Sequence, residues 1–197
     1  LSSYLAANNV ISNCQFGFRE GFSTEMALIS TLDNITTALD KKQHVIGLFL
    51  DLRKAFDTVN CDILLQKLSH YGIRGSSLNW FKSYLSNRSQ RVKYCDVFSC
   101  DQTVQMGVPQ GSTLGPLLFI IYINDLCNAL EEVQPVFFAD DTNLFLAGCD
   151  LDHVIQIFNN ELQSLSDWFK CNRLSLNLEK THCMLFTLSA KTRIKPI

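Results

Sequence analysis

The 197-residue sequence predicts an α+β fold, with helices on one face of a mainly antiparallel sheet and an acidic sheet edge left exposed. Three observations carry this. His44 to Leu50 is an almost continuous apolar run, the pattern of a strand buried on both faces, and it ends on Asp51. Val136-Phe137-Phe138 and Leu144-Phe145-Leu146 flank an Asp-Asp pair as two strands of a hairpin would, with Asp140 to Asn143 as the turn. Around these strands, apolar residues recur at helical spacing, giving the order helix, strand, two helices, hairpin, helix, hairpin, helix, short strands.

Taken in order, Leu1 to Cys14 shows no clear periodicity. Gln15 to Thr24 holds two glycines and Arg19 and reads as a loop, with Ser23 or Thr24 as a helix N-cap. Met26, Ile29, Leu32, Ile35 and Leu39 then mark a core-packing helix ending at Lys41-Lys42, where cations suit the helix dipole. After the Asp51 strand, Asn60 caps a helix through Ile63, Leu64, Leu68 and Tyr71, and Gly72 stops it. A second helix covers Leu78 to Leu85. Its tail, Asn87 to Lys93, is the most basic local stretch; Arg88, Arg91 and Lys93 either meet a nucleic-acid backbone or decorate a solvated hairpin. Gln90 to Cys95 and Ser99 to Met106 alternate weakly and form that hairpin.

Gly107-Val108-Pro109-Gln110-Gly111-Ser112 resists regular structure, and such a loop lets backbone approach a ligand closely. Ser112 or Thr113 caps a long apolar helix through Leu118, Ile121, Tyr122 and Leu126, with Pro116 tolerated in its first turn. Gly148 ends the second strand of the Asp-Asp hairpin. Asp150 or Asp152 caps a helix with a clean apolar stripe from Leu151 to Phe169, on which Trp168 and Phe169 are core. Asn172 to Thr181 reads as strand and turn, Cys183 to Phe186 as another strand, and Lys191 to Ile197 as basic and non-periodic.

Composition narrows the function classes. The chain is 47% hydrophobic, enough for one ordinary domain with a sizeable core. Its formal net charge of −2 is unexpected for a protein gripping a nucleic-acid duplex, so the most basic parts of such a protein are expected elsewhere in a longer polypeptide. Eight cysteines show no Cys-x-x-Cys pair or zinc spacing and read as thiols of a reducing compartment. No signal peptide opens the chain, and the longest apolar run, Leu117 to Ile123, is too short to span a bilayer. The expected setting is intracellular, in cytoplasm and nucleus.

If the strands ending at Asp51 and starting after Asp140 lie side by side, Asp51, Asp140 and Asp141 meet at one sheet edge. Uncompensated, these like charges repel. Divalent cations with oxygen ligands are the usual remedy, and two Mg²⁺ ions roughly 3.5–4 Å apart are the polymerase arrangement. The bland alternative is that two aspartates simply make a hairpin turn.

At these residues the sequence resembles a known family. Leu48-Phe49-Leu50-Asp51-Leu52-Arg53-Lys54-Ala55-Phe56-Asp57-Thr58-Val59 resembles motif A of reverse transcriptases, Gly107 to Phe119 motif B, and Phe138-Ala139-Asp140-Asp141 motif C. Gln15-Phe16-Gly17-Phe18-Arg19 is similar to the segment preceding motif A in non-LTR retrotransposon enzymes of the LINE or jockey type, and Asn172 to Thr181 to their motif D. The resemblance covers about Gln15 to Phe186.

It implies a polymerase palm with part of the fingers, spanning residues 1–197. The Arg-Pro-Ile fingers word is then expected before Leu1, and the Phe-Leu-Gly-Val primer grip and thumb after Ile197. The implied function is RNA-directed DNA polymerase, acting on an RNA template, a DNA primer and dNTP with two Mg²⁺ ions, or Mn²⁺ in their place. Whether an endonuclease domain shares the polypeptide is open. The resemblance makes Asp51 and Asp140 metal ligands with the Leu52 carbonyl, Asp141 a carboxylate of lesser role, and Lys180 a proton donor to pyrophosphate. Backbone near Lys54 and Ala55 meets phosphates, Phe56 lies under the sugar, and Gln110 with Gly111 sits over the nucleotide. Arg19 meets template or phosphate, or pairs structurally. Two rival readings are an RNA-directed RNA polymerase, disfavoured by the bulk of Phe56, and a non-catalytic nucleic-acid-binding remnant of a mobile element.

Overall fold

The computed structural model describes residues 1–188; the basic stretch Lys191–Ile197 lies outside the described residues. Its centre is a four-stranded antiparallel sheet in the order β6-β7-β1-β8, formed by β1 (His44–Leu50), β6 (Gln134–Phe138), β7 (Asp141–Gly148) and β8 (His182–Phe186). β1 pairs with β7 on one side and β8 on the other, which explains its continuous apolar run: both of its edges and both of its faces are covered.

Alternation along β1 divides the core in two. Ile46, Leu48 and Leu50 face the larger cluster, with α3 (Cys61–His70), α5 (Leu114–Ile123) and α6 (Leu151–Cys171). Val45 faces the smaller one, formed with Val136, Phe145 and α2 (Thr24–Asp40). The α+β class is as expected, but the second face of the sheet is not bare: α2 lies across it. The contact is made by two alanines and one isoleucine. Ala27, Ile35 and Ala38 are buried, whereas Met26, Ile29 and Leu32 of the expected stripe remain exposed. The stripe was therefore only partly a core signal.

Local signals explain the helix ends. The Ser23 side chain accepts from Met26 N–H, Asn60 from Asp62 and Ile63, and Asp150 from Asp152. Before α5 the cap is made by Ser112, whose hydroxyl accepts from Gly115 N–H at 3.0 Å and donates to Pro109 O at 2.7 Å. α5 is apolar on all sides because it is buried on all sides; Leu118 to Ile123 are at most 1% exposed. Burying one such side chain contributes ~1.5–3 kcal/mol, and Leu118→Ala would cost about 2–5 kcal/mol through the cavity it leaves.

Three features differ from the sequence reading. A short helix, α1 (Ser2–Ala7), anchors the start through buried Leu5. Residues 172–181 carry no regular strand, only a single antiparallel bridge between Leu52 and Leu176. The hairpin that follows α4 (Gly75–Leu85) is two short ladders. β2 (Arg88–Gln90) pairs with β5 (Gln102–Val104), and β3 (Lys93–Tyr94) with β4 (Val97–Phe98). The arm is nearly all exposed, which accounts for its weak alternation.

Candidate active site

The Asp-Asp hairpin is tighter than its sequence suggested. Phe138 pairs with Asp141, so only Ala139 and Asp140 form the loop, and Asp141 to Asn143 already belong to β7. Two-residue hairpin loops require positive φ, and Ala139 adopts φ +58°, a left-handed conformation that costs a residue with a Cβ ~1–2 kcal/mol. The buried Gln15 side chain compensates. Its Oε1 accepts from Ala139 N–H at 3.0 Å and from Gly17 N–H at 2.7 Å, and its Nε2 donates to Ala139 O at 3.3 Å. Asp141 lies on the face of β7 shared with Asn143 and Phe145, while Asp140 remains in the turn.

β1 delivers the third carboxylate. Leu50 pairs with Thr142, so one residue further along the two chains reach Asp51 and Asp141. Past the strand end, Asn177 N–H donates to Asp51 O and Arg53 N–H to Ser175 O, both at 2.8 Å. These two bonds flank the Leu52–Leu176 bridge, which turns the Leu52 N–H and carbonyl away from residues 175–177. Burial pushes the Asp141 carboxyl above its ordinary value, and Asp140 and Asp51 push it further. The ion pairs among the described residues, Lys67–Asp125 and Lys170–Asp167, involve none of the three.

Beyond Leu52 the chain makes a turn in which the Lys54 carbonyl accepts from Asp57 and Thr58, at 2.8 and 3.1 Å. The half-buried Phe56 ring stacks on Phe119 at 4.6 Å and meets Phe18 edge-on at 6.4 Å. The Gly107–Ser112 loop packs directly on this turn. Gly107 N–H donates to Val59 O and Val108 N–H to Phe56 O. A Cβ at Gly107 would lie 2.7 Å from Asp57 O, so only glycine permits the approach. At the head of the loop the exposed Gln110 donates to Asp57 Oδ1 at 2.6 Å.

Together these segments wall a cleft of about 770 Å³. It gathers Asp51, Leu52, Lys54, Ala55, Phe56, Gln110, Asp140 and Lys180, eight of the residues singled out in the sequence. Arg53, Thr58, Ser175, Asn177 and Glu179 line it as well and were missed, although Arg53 lies within the same word as Asp51 and Lys54. The remaining site residues lie off its wall. Asp141 adjoins the cleft carboxylates electrostatically, and Gly111 takes φ +76° beside open space. Arg19 bonds the carbonyls of Ser12 and Gln15, at 2.8 and 3.0 Å, and lies 4.1 Å over Phe22. Arg88 bonds the carbonyls of Leu85, Met106 and Gly107. Arg91 and Lys93 stand over Phe98, at 4.3 and 5.5 Å, on the exposed hairpin.

Among the described residues no three or more His, Cys, Asp or Glu side chains form a ready-made metal cage. What the cleft offers is sparser: the carboxylates of Asp51 and Asp140, that of Glu179 on its wall, and a backbone carbonyl turned away from its strand partner. All are hard oxygen donors, and that set suits Mg²⁺, which binds through one or two carboxylates plus substrate phosphates.

Acidic residues from the end of β1 and from the β6–β7 turn thus meet at one edge of a four-stranded antiparallel sheet, opposite the Gly107–Ser112 loop. The family model for reverse transcriptase (RNA-dependent DNA polymerase) matches residues 1–195, and the chain belongs to that family. It is 33% identical to the probable RNA-directed DNA polymerase from transposon X-element of Drosophila melanogaster, with 96% of this chain aligned, and 31% identical to that from transposon BS, with 95% aligned. The polymerase of the mobile element jockey, from the same organism, is 28% identical over 92% of the chain. The chain spans 21%, 21% and 20% of these three relatives, about a fifth of each. Its fold is also that of telomerase structures. One, from Candida albicans in complex with a fragment of telomeric RNA, superposes with a TM-score of 0.67 at 16% identity, over 93% of this chain and 34% of that one. Apo telomerase from Candida tropicalis gives 0.66 at 12% identity, over 98% and 41%. No helix among the described residues is long and apolar enough to cross a membrane.

Proposed function

We propose that this chain is the catalytic palm, with part of the fingers, of an RNA-directed DNA polymerase of a non-LTR mobile element, transferring a nucleotidyl group from dNTP to a primer 3′-hydroxyl. One observation carries the reading: a single cleft gathers Asp51, Asp140, Lys54, Phe56, Gln110 and Lys180 from segments far apart in sequence. Two Mg²⁺ ions, or Mn²⁺ in their place, would be held by Asp51, Asp140 and the Leu52 carbonyl; when bound they supply Lewis-acid activation of the hydroxyl and neutralise charge on the triphosphate.

The chain's own residues do the rest. Lys54, Arg53 and the backbone N–H groups of the Lys54–Ala55 turn receive phosphates. Phe56, held against Phe119, underlies the sugar, and Gln110 covers the nucleotide from the opposite loop with Gly111 as its hinge to α5. Lys180 is exposed at the cleft and gives a proton to the departing pyrophosphate. Asp141 adds negative charge without lining the cleft. Arg91 and Lys93 on the hairpin meet the backbone of the RNA template or DNA primer, with Arg19 and Arg88 shaping the loops beside them. The primer grip, thumb and remaining fingers belong to the longer polypeptide, which works in cytoplasm and nucleus. The test is primer extension on an RNA template by the complete parent polypeptide and by its Asp140→Asn variant. Metal-dependent dNTP incorporation that the variant loses supports the reading, and near-normal extension by the variant overturns it.

A further inference from the structure

We propose that Gln15 is a positioning residue for the metal-binding turn: its buried carboxamide locks Ala139 in the left-handed conformation and so aims Asp140 into the cleft. The proposal rests on the polymerase reading of Asp51 and Asp140, and it deepens that reading.

Gln15 is 2% exposed and lies 124 residues from Ala139 in sequence. Its side chain engages both the N–H and the carbonyl of Ala139, so one carboxamide does the work of a neighbouring strand's peptide group. The flanking backbone repeats the pairing. Phe137 N–H donates to Cys14 O and Phe16 N–H to Phe137 O, both at 2.8 Å. Residues 14–17 thus run beside β6 as a parallel extension of the sheet and end at the turn. Gly17 completes the clamp. A Cβ there would lie 2.2 Å from Ala139 N, so any side chain would push the turn away. Among the described residues the hydrogen bonds of the Gln15 side chain go to Ala139 and Gly17 backbone, so its effect is transmitted through the backbone of the residue before Asp140. The spacing Gln15-x-Gly17 has a single physical purpose: one residue holds the turn and the other makes room for it.

The experiment measures Mn²⁺ binding to the 197-residue chain by electron paramagnetic resonance, alongside thermal melting and amide exchange at Ala139. Gln15→Met keeps the volume and removes all three hydrogen bonds. It is expected to melt cooperatively, to exchange the Ala139 amide at least tenfold faster, and to bind Mn²⁺ at least tenfold more weakly. Phe158→Leu, in α6 and far from the turn, is the control; it lowers the melting temperature and leaves Mn²⁺ affinity within twofold. Wild-type affinity in Gln15→Met, or an equal loss in Phe158→Leu, overturns the proposal. If Gln15→Met does not fold, Gln15→Glu decides. It keeps the acceptor oxygen, loses the donor to Ala139 O and adds a negative charge that by itself would favour the cation. Weaker binding then supports the clamp, and unchanged or tighter binding overturns it. No Mn²⁺ binding by the unaltered chain overturns the metal reading of Asp51 and Asp140 and the proposal with it. Binding that ignores every change at Gln15 overturns the proposal alone.

Discussion

Gln110 donates its side-chain amide to Asp57 Oδ1 at 2.6 Å, joining the loop before α5 to the turn after β1 across 53 residues of sequence. This bond orients the one side chain proposed to lie over the nucleotide. An exposed hydrogen bond to a carboxylate is worth ~1 kcal/mol, or about fivefold in binding. In the complete polymerase, Asp57→Ala is expected to raise the KM for dNTP about fivefold with a smaller change in kcat. Asp57→Asn, which keeps an acceptor, restores most of it. Steady-state single-nucleotide insertion measures both, and an unchanged KM in Asp57→Ala would detach Gln110 from nucleotide binding.

The acidic cluster gives a pH prediction for the metal-free chain. The Asp141 carboxyl titrates above its ordinary 3.8 because burial, Asp140 and Asp51 all disfavour its charge. A carboxyl whose folded pKa is raised costs stability once it ionises. The cost is absent below the unfolded value, develops as pH rises from about 3.8 through the raised folded value, and is complete above it. Asp141→Asn is therefore expected to melt at a higher temperature than wild type at pH 7 and to lose that advantage near pH 3. A lower melting temperature for Asp141→Asn at pH 7 would show that the three carboxylates do not repel.

With metal and substrate the ranking among these residues differs. Asp51→Asn and Asp140→Asn remove carboxylates that line the cleft, and extension by the parent polypeptide should fall by three or more orders of magnitude, equivalent to at least ~4 kcal/mol of transition-state stabilisation. Asp141→Asn, on the α2 face of β7, should lose far less. Equal losses at Asp140 and Asp141 would contradict the division that the two-residue turn imposes.

Much of the fold was legible because local rules and burial agreed. β1 reads as one apolar run, Asn60 and Asp150 cap where their helices begin, and α6 carries an apolar stripe interrupted by the buried Glu161. Two misreadings share one cause: contacts between segments distant in sequence. The extent of the Asp-Asp turn depends on Ala139 tolerating φ +58°, which is sustained by Gln15 from the other end of the chain. The α2 stripe promised burial for Met26 and Leu32, but the helix meets the sheet through Ala27, Ile35 and Ala38 and leaves those two side chains outside. In the site, eight of the residues that line the cleft could be named from their words. The residues that hold them, Gln15, Asp57 and Asn177, could not, since nothing near them in sequence marks their partners.

Charge predicts how the isolated chain meets nucleic acid. Its net charge is −2, and the arginines Arg19 and Arg88 spend donors on backbone carbonyls. Few phosphates are then neutralised, so the logarithm of affinity for a primer–template should fall only shallowly with the logarithm of salt, with a slope near −2 to −3 if Arg91, Lys93 and Lys54 are the contacts. Fluorescence anisotropy across a salt series measures this. Tight binding with a steep slope would mean that cations beyond these three grip the duplex.

Phe56 is the residue proposed to select the sugar. Its ring is stacked on Phe119 at 4.6 Å and cannot swing freely, yet it is only half buried and lines the cleft next to Ala55. A fixed ring at the floor of a nucleotide site rejects a 2′-hydroxyl by clash, without holding the deoxy sugar any tighter. Phe56→Val would open that space. The gate reading expects ribonucleotide insertion by the parent polymerase to rise at least tenfold while deoxyribonucleotide insertion falls only modestly. The same substitution also removes the stack on Phe119, so a stability loss of about 1–3 kcal/mol is expected under either reading and does not discriminate. The preference ratio does. Phe56→Tyr supplies the converse, since it keeps the ring and its stack and should keep the exclusion. If Phe56→Val lowers both insertions equally, the ring is a core residue that happens to border the cleft. The choice of DNA over RNA synthesis would then rest on other walls of the site.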